Sequence, residues 1–271
     1  MKYRESRLKS TNGIKLYYRS WIPDDDSKGI MLIAHGLGEH SGAYEKLASY
    51  FCHEKIGVYA LDLRGHGQSN GKRGHIKSFE RYLNDFHVFY KNTIRKHKDK
   101  PVYFIGHDLG ATLILNYVLT KNPKNSGIIL SSPFFKFTKR LPESALYILK
   151  RLNYIIPIFP VKLNTVFWKL TNSKRTTSNR KKDKYYLNLV TIRLLNEIIS
   201  WGQKALSNKH KFNCPVLLLH GTKNRVVSHK MSKEFAEHSS NISLKLLQGQ
   251  NHELLNNNTR VYNIIHDWLP N

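Results

Sequence analysis

Gly106-His107-Asp108-Leu109-Gly110 sits between a short apolar run, Val102-Tyr103-Phe104-Ile105, and a helix-compatible segment from Ala111 to Tyr117. Glycines on both sides of the aspartate let the chain cross close to itself, where a Cβ would collide. The string therefore reads as a sharp strand-to-helix turn that lifts one side chain, Asp108, above the end of a strand. Such a turn needs a buried strand behind it and a helix packed back over it.

Three more apolar runs end in polar, glycine-bearing turns. Gly29 to Ala34 leads into His35-Gly36-Leu37-Gly38-Glu39-His40-Ser41-Gly42-Ala43-Tyr44. Val58 to Leu61 leads into Asp62-Leu63-Arg64-Gly65-His66-Gly67-Gln68-Ser69-Asn70-Gly71. Pro215 to Leu219 leads into His220-Gly221-Thr222-Lys223-Asn224-Arg225-Val226-Val227. Strands that are apolar without alternation belong to a parallel sheet covered on both faces. The pattern predicts strands near 29–34, 57–61, 101–106, 127–131, 215–220 and 242–247. Helices are expected near 43–54, 78–97, 109–120 and 229–238, with a last one through Tyr262 to Leu269. Thr11-Asn12-Gly13 separates two alternating stretches and predicts a tight hairpin turn. The class is α/β. At 271 residues the chain suits one domain, residues 1–271, carrying an insertion over about 134–208, where aromatic, aliphatic and basic residues mix.

In order and spacing, these motifs and Gln250-Asn251-His252-Glu253 resemble the monoacylglycerol lipase and lysophospholipase group of α/β-hydrolases. The likeness runs through nearly the whole chain and is weakest between about residues 133 and 208. It implies the α/β-hydrolase fold: a mostly parallel central sheet, helices on both faces, and a helical cap formed by the insertion. It also carries three catalytic positions onto this chain, with Asp108 as nucleophile, Asn224 as acid and His252 as base, in the order typical of the fold. The backbone amides of Leu37 and Leu109 fall where an oxyanion hole is expected.

This sequence departs from the lipase group at two of the three positions, where serine and aspartate are usual. Asp108 has no hydroxyl proton to surrender. Asn224 can hydrogen-bond an imidazole but cannot balance its positive charge, and the same loss in a serine protease costs about 10⁴ in turnover. Three readings stay open: a residual or altered hydrolase of lipid esters, an Asp-nucleophile hydrolase, and a non-catalytic binder of an apolar or acyl ligand. The second resembles haloalkane dehalogenases and soluble epoxide hydrolases, in which a carboxylate attacks carbon and His-activated water cleaves the ester. The tryptophan usual after that aspartate is missing. Tyr147, Tyr154, Tyr185 and Tyr186 are the available tyrosine donors. In the third reading Asp108 fills its own oxyanion hole and pairs with a cationic His252, which favours the ionised form of both.

Other polar residues carry blander expectations. Asp62, Arg64, His66 and Ser69 read as a structural turn, and His35, His40 and His107 as shapers of loops. Ser131 and Ser132 lie off the turn. Cys52 and Cys214 read as buried thiols without a disulfide framework. The 14 histidines show no metal-ligand spacing, so neither metal nor other cofactor is expected. Lys+Arg number 44 against 19 Asp+Glu, a net charge of +25, which attracts phosphate. No nucleic-acid-binding motif accompanies that charge, so nucleic acid is not the expected partner, whereas peripheral contact with an anionic membrane is. No apolar run is long enough to span a bilayer, and the charged amino terminus is unlike a signal peptide. The expected location is cytoplasmic.

Overall fold

The computed structural model describes residues 1–138, 142–163, 183–208 and 212–270. The basic stretch 173–182 lies outside the described residues. Strands β1 (Lys2–Lys9) and β2 (Lys15–Ile22) form an antiparallel hairpin. Its connection is longer than the expected tight turn. Ser10 to Ile14 close through the Ser10 N–H on the Ile14 carbonyl at 2.7 Å, and Asn12 and Gly13 take φ of 60° and 73°.

The remaining strands of the main sheet are β3 (Gly29–Ala34), β4 (Ile56–Leu61), β5 (Val102–His107), β6 (Gly127–Ser131), β9 (Val216–Gly221) and β10 (Ile242–Leu247). With the hairpin they make an eight-stranded sheet in the order β1-β2-β4-β3-β5-β6-β9-β10, and every pairing from β4 to β10 is parallel. Strands β3 to β6 and β9 are buried along their whole length, as their apolar composition requires.

Alternation along each strand splits the core in two. Ile30, Leu32, Phe104, Ile128 and Leu218 point to the face covered by α2 (Glu80–Ile94), α3 (Leu109–Lys121) and α5 (Ile192–Ser207). Met31, Ile33, Ile105, Ile129 and Leu219 point to the face covered by α1 (Glu45–His53) and α7 (Thr259–Trp268). Helix α6 (His229–Ala236) joins the first face through Phe235.

Between β6 and β9 the described residues hold α4 (Glu143–Ile155), α5 and a two-stranded antiparallel ribbon, β7 (Pro160–Lys162) with β8 (Leu189–Thr191). The insertion, expected above to be a helical cap, thus carries a short ribbon beside its helices. Pro157 and Pro160 cannot continue α4, and the β-branched Val161 and Val190 pair across the ribbon. Among the described residues no helix is long and apolar enough to cross a membrane.

Candidate active site

Asp108 occupies a strained turn between β5 and α3, with φ 50° and ψ −113°. Its N–H donates to the Ser131 carbonyl at 3.0 Å. A Cβ on Gly106 would lie 2.5 Å from the Ala111 Cα, and one on Gly110 would run into the Ala34 carbonyl. Both glycines are thus required by packing of α3 against β5 and β3. Asn224 lies beyond β9, His252 beyond β10 and Leu37 beyond β3, so all four stand at the carboxyl ends of parallel strands. Ser132 braces the base from behind, its Oγ donating to the His252 carbonyl at 3.0 Å.

The structure brings Asp108, Asn224 and His252 together, and the hydrogen-bond directions fix what they can do. Asn224 Oδ1 accepts the backbone N–H groups of Val226 and Val227 at 3.0 and 3.1 Å. A backbone N–H can only donate, so that atom must be oxygen. The side-chain amide nitrogen then faces His252 Nδ1 at 3.1 Å and His220 Nε2 at 3.0 Å. Because Asn224 donates there, Nδ1 of His252 must be unprotonated, and the neutral ring carries its proton on Nε2. A carboxylate at this position would impose the opposite tautomer. The shape of a triad is kept while its hydrogen-bond polarity is reversed.

Asp108 completes the inversion. Its Oδ2 accepts the Leu37 N–H at 3.1 Å, and the carboxyl group also takes a backbone hydrogen bond from Leu109, so it sits on the donors expected of an oxyanion hole. Oδ1 lies 4.0 Å from His252 Nε2, beyond hydrogen-bond reach. The two groups stand at the limit of ion-pair distance, and the lowered Asp108 pKa anticipated from sequence is corrected. Burial raises the Asp108 carboxyl above its ordinary value, prevailing over the Leu37 and Leu109 hydrogen bonds that lower it. An imidazolium would also turn an Nδ1–H onto the Asn224 amide, donor against donor.

His220 belongs to the network but was not singled out in the sequence, although it stands in the Pro215–Val227 motif. Burial lowers its pKa to about 4, so the ring is neutral. Its Nε2 lies 3.0 Å from the Asn224 amide nitrogen, which can only donate, and 3.2 Å from the Val227 carbonyl, which can only accept, so one tautomer serves one of the two; Nδ1 meets Ser232 Oγ at 2.7 Å. Its position four residues before Asn224 was the available signal.

Glu39 holds the Leu37 loop, its Oε2 accepting the Gly36 N–H at 3.1 Å and the Tyr44 hydroxyl at 2.7 Å. His40 Nε2 meets Asp183 at 3.0 Å, tying this loop to the insertion. His35 Nε2 accepts the Leu63 N–H, and His107 Nδ1 meets Ser131. Tyr185 and Tyr186 pack their rings against His40, while Tyr147 and Tyr154 face outward from α4. Asp62 accepts the Ser41 and Gln68 N–H groups, Arg64 pairs with Asp85, and Ser69 donates to the Asp62 carbonyl, all in a buried turn away from the triad positions. Burial pushes the thiols of Cys52 and Cys214 up, and both are free.

A family model described as serine aminopeptidase, S33, matches residues 25–259. The chain is 27% identical over 255 residues to the monoacylglycerol lipase of Mycolicibacterium smegmatis, covering 93% of this chain and 91% of that relative. It is 28% identical over 280 residues to the monoglyceride lipase of Rattus norvegicus, covering 97% and 84%. Among solved structures, the monoacylglycerol lipase of Paleococcus ferrophilus superposes with a TM-score of 0.82 at 25% identity, over 93% of this chain and 97% of the other.

Proposed function

This chain belongs to the serine aminopeptidase S33 family and is a lipase-like α/β-hydrolase of the monoacylglycerol lipase type; from that premise we propose that its serine-type ester hydrolysis is silenced and that it acts as a binder of an apolar or acyl-chain ligand. One observation carries the reading. The Asn224 amide donates to His252 Nδ1, which leaves Nε2 protonated on the side where a base must accept a proton. The carboxylate of Asp108 occupies the Leu37 donor that would otherwise receive a substrate oxyanion.

The ligand is proposed from a neighbouring cleft of about 540 Å³ between the insertion and the Asn224 loop, lined in part by Phe134, Phe135, Phe137, Leu146, Ile199 and Met231. Lys136, Glu143 and Gln203 share this lining, so the cleft suits a small molecule with an apolar body and a polar end. An Asp-nucleophile hydrolase fits less well. Asp108 Oδ1 is free to attack carbon, but the second step needs His252 Nε2 as a base for water, and there it already holds its proton.

Restoring both positions tests the reading. Asp108→Ser combined with Asn224→Asp should hydrolyse short-chain esters and label with a fluorophosphonate, and the native chain should do neither. Asp108→Ser alone should fall short of the double variant by about 10³–10⁴ in turnover, because base and orienting acid act as a unit. Native labelling at Asp108's turn, or equal activity of single and double variants, would contradict the proposal.

A further inference from the structure

A carboxylate nucleophile works in two steps, and the reversed hydrogen bonds around Asp108 separate them. In the first a carboxylate oxygen attacks carbon, and in the second base-activated water cleaves the resulting ester. The Asp108 oxygens are already divided. Oδ2 is fixed by the Leu37 N–H at 3.1 Å, while Oδ1 is turned toward His252 Nε2 at 4.0 Å, too far for a hydrogen bond. The pair is not sealed off, since the Asp108 side chain keeps 12% of its surface exposed and that of His252 10%.

What stands beside Oδ1 decides which step runs. His252 Nε2 carries a proton, because the Asn224 amide donates to Nδ1 at 3.1 Å. A proton donor beside a carboxylate suits one class of electrophile, the epoxide, whose ring oxygen must collect a proton as its C–O bond breaks. The same donor fails the second step, which needs Nε2 as an acceptor for a proton of water. Asn224 therefore favours opening and blocks release. Burial opposes the charge on Asp108, whereas the Leu37 and Leu109 amides support it. The neighbouring cleft begins at Phe134, whose N–H approaches the Asp108 carbonyl at 3.5 Å. An epoxide on an alkyl chain has the apolar body and polar end that this lining takes.

We infer that Asp108 captures alkyl epoxides covalently, one per chain, and keeps them as a stalled ester. Oδ1 bonds to an epoxide carbon, the bond from that carbon to the ring oxygen breaks, and its electron pair stays on the oxygen. The oxygen takes the Nε2 proton of His252, which water replaces, and hydroxide leaves to solvent. The product is a hydroxyalkyl ester of Asp108 whose carbonyl oxygen remains at the Leu37 amide. The inference rests on the ester-silent, ligand-binding reading above and assigns its ligand a reactive class.

The test is intact mass spectrometry of the full chain incubated with terminal epoxydecane, with peptide mapping of the adduct and assay of the diol. Mildly alkaline buffer favours the carboxylate against the effect of burial. The native chain should gain one epoxide at Asp108, removable by hydroxylamine as an ester is, and should release no diol. Asp108→Asn should gain none at that position. Asn224→Asp moves the His252 proton to Nδ1, so capture should slow about 10²-fold and the captured fraction should leave as diol. An unlabelled native chain, adducts confined to lysine, histidine or cysteine, continuous diol release by the native chain, or capture by Asn224→Asp at the native rate would each overturn the inference. Fluorophosphonate labelling of the same samples keeps the two proposals apart. Native labelling would remove the ester-silent reading, whereas a missing epoxide adduct overturns the capture alone.

Discussion

Asn224 shows how one atom can reverse a site without moving it. Its oxygen keeps the two N–H contacts from Val226 and Val227, so the loop conformation does not depend on having a carboxylate. Its nitrogen replaces an acceptor by a donor, and the tautomer of His252 follows from that substitution alone. The same four hydrogen bonds make Asn224 structurally demanding. Asn224→Ala should destabilise the fold by roughly 2–4 kcal/mol in urea unfolding, because two buried N–H groups lose their acceptor. Asn224→Asp should be far milder, provided His220 moves its proton to Nε2 and Ser232 rotates its hydroxyl to donate to Nδ1. The positions of Asp108, Asn224, His252, Leu37 and Leu109 were legible from motif order. The direction of the Asn224 hydrogen bonds was not, since it depends on which backbone amides the loop presents to the side chain. Nor was the effect of burial on Asp108, which arises from packing around a charge rather than from any residue beside it in sequence.

Among elements, the parallel strands could be read because each is buried on both faces and so is apolar throughout. The β7–β8 ribbon could not, because three-residue strands between prolines leave no periodicity to recognise. The turn after β4 was legible as structural, but its anchor was not: Asp85 lies on the amphipathic α2, 21 residues from Arg64. There the carboxylate takes Arg64 Nε and Nη2, each at 2.7 Å, and the hydroxyl of Ser10 from the hairpin connection. One buried acid thus links the hairpin, the turn and the helix. Asp85→Ala leaves the Arg64 charge buried and unpaired and should cost about 3–5 kcal/mol of stability, measured by denaturant unfolding.

At the scale of the whole molecule, pH acts through histidines kept neutral in the interior. Burial lowers His66 to about 3 and His220 to about 4, and it lowers His35 as well. Each therefore binds its proton more readily in the unfolded chain. As pH falls below about 6.5 the unfolded state takes up protons first, and stability declines until the folded-state values are reached. For His66 and His220 together the slope should approach roughly 2.7 kcal/mol per pH unit between about pH 6 and 4. His66→Gln should remove about half of it, as read from urea midpoints across that range. A formal net charge of +25 adds self-repulsion that grows as further histidines charge. An acid limb unchanged by the substitution would show that His66 is not held neutral in the fold.

The most direct test of the inverted site is the tautomer of His252, read from its ring nitrogens by ¹⁵N NMR at neutral pH. The native chain should show Nδ1 unprotonated and Nε2 protonated, and Asn224→Asp should exchange the two. A native His252 with its proton on Nδ1, or a doubly protonated ring, would contradict the account.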